Sequence, residues 1–135
     1  MRIRVATKED CAKICKALQY KDISFCTADQ ARNDYLMCRL YCVHEGDRVL
    51  ATFSLVEEDT WDYIAIKRLC ILNKKNCGKG IARFIVHELV NLMRGCKIGA
   101  TPWEDNYTMR HILESEGFKL EYKFAGNWCF YSREV

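Results

Sequence analysis

Lys75-Asn76-Cys77-Gly78-Lys79-Gly80-Ile81-Ala82 is the stretch on which the fold of this chain turns. It stands between a strand-like run, Trp61 to Leu72, and a helix-like run ending near Met93. Two glycines one residue apart let the backbone bend at low steric cost. A bend that opens a helix leaves several amide N–H groups without intrahelical partners, and the aligned peptide dipoles add about half a positive charge at the same place. Donors and field together make an anion cradle suited to a diphosphate.

Outward from this turn, the pattern alternates between strand and helix. Upstream, Arg2 to Ala6 alternates as a strand, and Thr7 with Asp10 three residues later opens a helix through about Leu18. A second helix of open limits is expected within residues 20–38. Leu40 to His44 and Val49 to Val56 are β-rich runs joined by Glu45-Gly46-Asp47-Arg48, and Asp59-Thr60 turns the chain into the long strand. Downstream, Ile81, Phe84, Ile85, Leu89 and Leu92 recur at helical spacing with Gly95 as the stop. Lys97 to Thr101 is a short strand, and a helix carrying Met109, Ile112 and Leu113 follows Pro102-Trp103 and ends at Gly117. Phe118 to Phe124 and Trp128 to Ser132 close the chain as a hairpin. The order β-α-α-β-β-β-α-β-α-β-β predicts a mixed sheet with helices against its faces.

Composition narrows the function classes. At 135 residues the chain is long enough for one domain, residues 1–135, that buries roughly two-thirds of its unfolded surface. Residues 1–60 carry nine Lys/Arg and ten Asp/Glu, and residues 61–135 carry twelve and eight, so the positive excess lies in the half that holds the cradle. That bias suits an anionic ligand and is too mild for a nucleic-acid surface. No run approaches the roughly 20 apolar residues of a membrane span. Nine cysteines, an odd number without any CxxC pair or secretory signal, point to reduced thiols in a cytoplasmic setting rather than to disulfides or a metal site. Cys11/Cys15 and Cys38/Cys42 are each four apart, as on one helix face; most of the nine read as small buried hydrophobes.

The order of elements, the glycine turn and the helix after it resemble the GNAT superfamily of acetyl-CoA-dependent N-acetyltransferases. Lys75-Asn76-Cys77-Gly78-Lys79-Gly80 is similar to that family's Gln/Arg-x-x-Gly-x-Gly/Ala turn, with lysine at the first position, where charge is kept and the planar fork is lost. Asn106, some ten residues before Gly117-Phe118, matches the family's second signature. The resemblance covers about Leu69 to Phe118. It implies an α/β (α+β) fold whose six- to seven-stranded, mostly antiparallel sheet is splayed in the middle, with about four helices on its faces.

The resemblance further implies acetyl-CoA as cosubstrate and no metal. The strand before the turn would separate from Lys97 to Thr101 at a bulge, and main-chain groups of Cys70, Ile71 and Leu72, chiefly Leu72, would pair with the pantetheine arm. Amides of Cys77, Gly78, Lys79, Gly80, Ile81 and Ala82 would hold the diphosphate, with Lys75 and Lys79 at the rim and Asn106 on the pantetheine side. The partner it implies is a small-molecule or peptide amine, selected by residues 20–39 and the loop after Phe124; a second copy of the chain is admitted as a partner, and nucleic acid and membrane are not.

The chain departs from the family at one chemical position. Many members carry a tyrosine four residues before the Gly-Phe pair as general acid, and here Leu113 stands there. Leucine donates no proton. For the general base, direct aminolysis is helped by a carboxylate or histidine that reaches the amine; the resemblance implies a carboxylate near the start of the long strand, where Asp62 and Glu57 are the candidates. A module of the same fold that binds acyl-CoA without transferring the acyl group is the alternative to an acetyltransferase.

Overall fold

A computed structural model describes residues 1–19, 26–58, 62–124 and 126–135. Its strands are β1 (Arg2–Val5), β2 (Leu40–Glu45), β3 (Arg48–Glu58), β4 (Tyr63–Ile71), β5 (Lys97–Ala100), β6 (Lys119–Phe124) and β7 (Trp128–Glu134). Its helices are α1 (Lys8–Leu18), α2 (Ala28–Leu36), α3 (Ile81–Leu92) and α4 (Tyr107–Ser115). The expected order of strands and helices is met. The sheet runs β1-β2-β3-β4-β5-β7-β6. Pairs β1/β2, β2/β3, β5/β7 and β7/β6 are antiparallel and β4/β5 is parallel, so the sheet is mixed. The Asp59-Thr60 turn, Trp61, residues 20–25 of the segment expected to border the acceptor, and Ala125 of the loop after Phe124 lie outside the described residues.

The chain divides into two compact units. The first comprises Met1–Leu55 and Arg68–Ile81. Thr7 caps α1 as expected: its hydroxyl accepts from the Asp10 amide at 3.1 Å, and the Asp10 carboxylate accepts from the Thr7 amide at 3.0 Å. Arg4 adds two hydrogen bonds to the same carboxylate, at 3.0 and 2.7 Å. Cys11, Ile14, Cys15 and Leu18 recur along one face of α1 and are buried, so the thiols there serve as core atoms. A second capping box, Thr27 with Gln30, sets the start of α2, whose limits the sequence left open. Cys38 follows α2 at φ 58° while Cys42 lies in β2, so that pair does not share a helix face as Cys11 and Cys15 do.

The second unit comprises Val56–Lys67 and Ala82–Val135. β5 is short and closely packed: a Cβ on Gly99 would lie 2.7 Å from the Tyr63 ring and 2.9 Å from that of Phe130. Only glycine fits there. Ile85 and Leu89 of α3 and Ile112 and Leu113 of α4 are buried, as their spacing predicts, whereas Leu92, expected on the same face, is exposed at the last position of α3. The two helices are tied side by side by Arg83 donating to the Ser115 hydroxyl at 2.7 Å and by the His87 ring, 3.1 Å from the Glu116 carboxylate. The sequence pattern gave His87 no partner. Gly117 ends α4 at φ 86°, a conformation open to glycine and costly for other residues.

Candidate functional site

The loop between β4 and α3 belongs, through Ile81, to the first unit. Asn73 starts it by accepting the Lys75 amide at 3.1 Å, and Lys74–Asn76 form one 3-10 turn. That turn consumes two amides: Asn76 donates to the Asn73 carbonyl at 2.9 Å and Cys77 to the Lys74 carbonyl at 3.1 Å. The Cys77 amide, expected in the cradle, is therefore committed to its own loop. From Gly78 onward the picture changes. Gly78 and Gly80 stand at φ 77° and 76°, and a Cβ on either would meet nothing within 4 Å. Among the described residues, no hydrogen bond engages the amides of Gly78, Lys79, Gly80 or Ile81, nor that of Ala82 in the first turn of α3. Lys74, Lys75 and Lys79 are exposed beside them. Open space, spare donors and three cations fit the diphosphate that the resemblance implies.

In β4 the pairing with β5 covers Ile64–Ile66 against Ile98–Ala100. Two residues beyond Ile66, Arg68 stands at φ 52°, a left-handed residue inside an extended strand. Past it, the Leu72 amide donates to the Leu50 carbonyl of β3 at 3.0 Å. That N–H belongs to the sheet and is not offered to a ligand, which corrects the expectation placed chiefly on Leu72; Cys70 and Ile71 are expected beside it. Both of these are already engaged elsewhere in the chain, and the Cys70 thiol donates to the Ile71 carbonyl at 3.6 Å.

In the second unit Asn106 is the N-cap of α4, its side-chain oxygen accepting from the Met109 amide at 3.1 Å. Its spacing before Gly117-Phe118 signals a helix start as well as a family motif, and Asn is a preferred capping residue. Leu113 is 0% exposed, so the position where relatives of the resemblance carry an acid lies inside the core. Tyr131 uses its hydroxyl fully: it donates to Glu114 at 2.7 Å and accepts from Arg110 at 3.0 Å. Burial and Glu114 push its pKa up against the opposing pull of Arg110. Trp103 and Trp128 meet edge to face at 4.7 Å between ring centres, a packing contact.

Glu57, Glu58 and Asp62 line a recess of about 840 Å³ in the second unit, together with Tyr63, Lys97 and Glu134. Glu58 is held by Lys67 at 2.7 Å. Glu57 and Asp62 are exposed and enter no ion pair among the described residues. Among the described residues no group of His, Cys, Asp and Glu side chains is arranged to hold a metal ion, and no helix is long and apolar enough to cross a membrane.

No sequence-family model matches the chain, and no curated protein matches it. Solved structures do. A GNAT-family acetyltransferase from Streptococcus agalactiae is similar at a TM-score of 0.82 and 18% identity, over 99% of this chain and 95% of that one. The yncA protein of Salmonella typhimurium, solved with its cofactor acetyl-CoA, gives 0.72 at 18% identity over 99% and 93%. A spermidine N-acetyltransferase SpeG chimera from Vibrio cholerae and hSSAT gives 0.72 at 14% identity over 98% and 95%. At such identities the likeness is one of fold: the chain has the GNAT fold.

Proposed function

We propose that this chain, built on the GNAT fold, is an N-acetyltransferase. Residues 1–135 act as one domain that moves an acetyl group from acetyl-CoA to a primary amine of a small molecule or peptide, by direct attack in a ternary complex. The observation that carries this reading is the run of unengaged amides from Gly78 to Ala82 around two left-handed glycines in open space. It is supported by a structural neighbour solved with acetyl-CoA and by neighbours named for an amine, spermidine. Nine free thiols suit a reducing, cytoplasmic compartment.

Acetyl-CoA supplies the activated acetyl thioester. The protein's part is to hold and orient: the amides of Gly78 to Ala82 take the diphosphate, Lys75 and Lys79 add charge at the rim, and the β4 edge at Cys70–Leu72 aligns the arm, so that an amine meets one geometry. Asp62, or Glu57, accepts the proton the amine must lose. Such a base contributes roughly two to four powers of ten in rate. Leu113 gives no proton to the departing thiolate, and the buried state of that position favours a second reading, an acyl-CoA-binding module with little transfer.

Acetyl-CoA at about a hundred times its dissociation constant adds roughly 2.7 kcal/mol to folding stability, read as a rise in melting temperature. No shift at saturation ends the cofactor assignment. Gly80→Glu places a carboxylate and its bulk in the cradle and is expected to abolish the shift. An amine panel of polyamines, aminoglycosides, amino acids and peptides, assayed for thiol release, then separates enzyme from binder. Cofactor-dependent stabilisation without thiol release from any amine favours the binder.

A further inference from the structure

Asp34 of α2 is 1% exposed and accepts four hydrogen bonds within the first unit. Its Oδ2 accepts from Arg68 Nε at 2.6 Å and from the Ser54 hydroxyl at 2.6 Å. Its Oδ1 accepts from Arg68 Nη2 at 2.8 Å and from Arg39 Nε at 2.9 Å. Burial pushes this carboxyl up, and the hydrogen bonds from Arg68, Ser54 and Arg39 outweigh it, so the group is held ionised below its ordinary value. The Arg68 carbonyl is engaged as well, by the Cys26 thiol at 3.7 Å.

Arg68 is also the left-handed residue of β4. A non-glycine residue there costs roughly 1–2 kcal/mol, so the conformation persists because surrounding contacts over-determine it. A forked guanidinium on a buried carboxylate is such a contact. The consequence lies downstream in the strand. Main-chain groups of a strand point alternately to its two edges, and a left-handed residue breaks that alternation for the residues that follow. The break at Arg68 therefore sets which groups of Cys70–Leu72 face β3, as the Leu72 amide does, and which face the opposite edge.

We propose that Asp34 is a positioning residue for the acetyl-CoA strand: through Arg68 it fixes the left-handed break in β4 and so the edge that Cys70–Leu72 present to the pantetheine arm. This rests on the function proposed above. It also ties the α2 segment mechanically to the strand that binds the cosubstrate.

The test is titration calorimetry of coenzyme A against the full chain, with the melting temperature of each free protein measured alongside. Arg68→Gly keeps the left-handed backbone without strain but removes the fork. It is expected to raise Kd about ten-fold, equivalent to about 1.4 kcal/mol, and Asp34→Asn to act in the same direction. Arg68→Lys keeps charge without the fork and falls between. Asp10→Asn, which removes the charge of another buried carboxylate of this unit, is expected to lower the melting temperature and leave Kd within two-fold of wild type. If Arg68→Gly and Asp34→Asn also keep wild-type Kd, the positioning role is wrong while the acetyl-CoA reading stands. The positioning role is equally wrong if Asp10→Asn weakens binding as much, because the effect is then one of general stability. A wild-type chain that does not bind coenzyme A overturns both.

Discussion

At the scale of single residues, position 113 decides more than its chemistry suggests. The resemblance marks it as the seat of a proton donor, and Leu113 fills it with a side chain that is fully enclosed. Restoring a tyrosine therefore does not restore an acid. Leu113→Tyr inserts a larger side chain and a hydroxyl into a packed interior and is expected to cost about 1–3 kcal/mol by overpacking, with no gain in thiol release. Thermal melts and a rate assay on the variant check this, and a stable, faster variant contradicts the enclosure of that site. Sequence reading identified the residue and its departure from the pattern. It missed the pairing of His87 with Glu116, because helix-to-helix neighbours across 29 positions leave no local trace.

At the scale of elements, caps and breaks fix where helices start and strands turn. Both capping boxes, Thr7/Asp10 and Thr27/Gln30, are local signals that the folded chain uses. Asp10 carries an additional charge effect. Burial pushes its carboxyl up, but hydrogen bonds from Arg4 and Thr7 outweigh this and hold it at about 2. A folded value below the unfolded one means stability that is complete above the ordinary carboxylate range and lost as pH falls through about 2. Because Arg4 reaches solvent, the contribution is on the order of 1 kcal/mol at neutral pH. Melting temperature followed from pH 6 down to pH 2 is expected to fall more steeply for wild type than for Asp10→Asn, which starts lower and changes less. Equal slopes rule out Asp10 as an acid-labile anchor. Asp34, also held below its ordinary value, adds to the wild-type slope in the same direction.

At the scale of the whole molecule, the nine cysteines behave as one population divided by burial. Cys11, Cys15, Cys26, Cys42, Cys70 and Cys129 are buried, Cys38 and Cys77 are exposed, and Cys96 is intermediate. Brief alkylation of the native protein is expected to add two or three labels by mass, and nine after unfolding. Rapid labelling of all nine in the native state contradicts this core. Composition had already assigned most thiols to the interior, since an odd set without CxxC spacing has neither disulfide nor zinc logic. The sequence determined the succession of strands and helices, the Thr7 capping box and the glycine turn, because hydrophobic period, cap chemistry and glycine's freedom at positive φ act over a few residues. Only the tertiary structure decided which amides of that turn are spent, that Leu72 bonds back to β3, and that Asp34 grips Arg68. Each of these depends on a partner brought close by folding, or on competition between a ligand and the chain's own carbonyls, which spacing along the sequence does not encode.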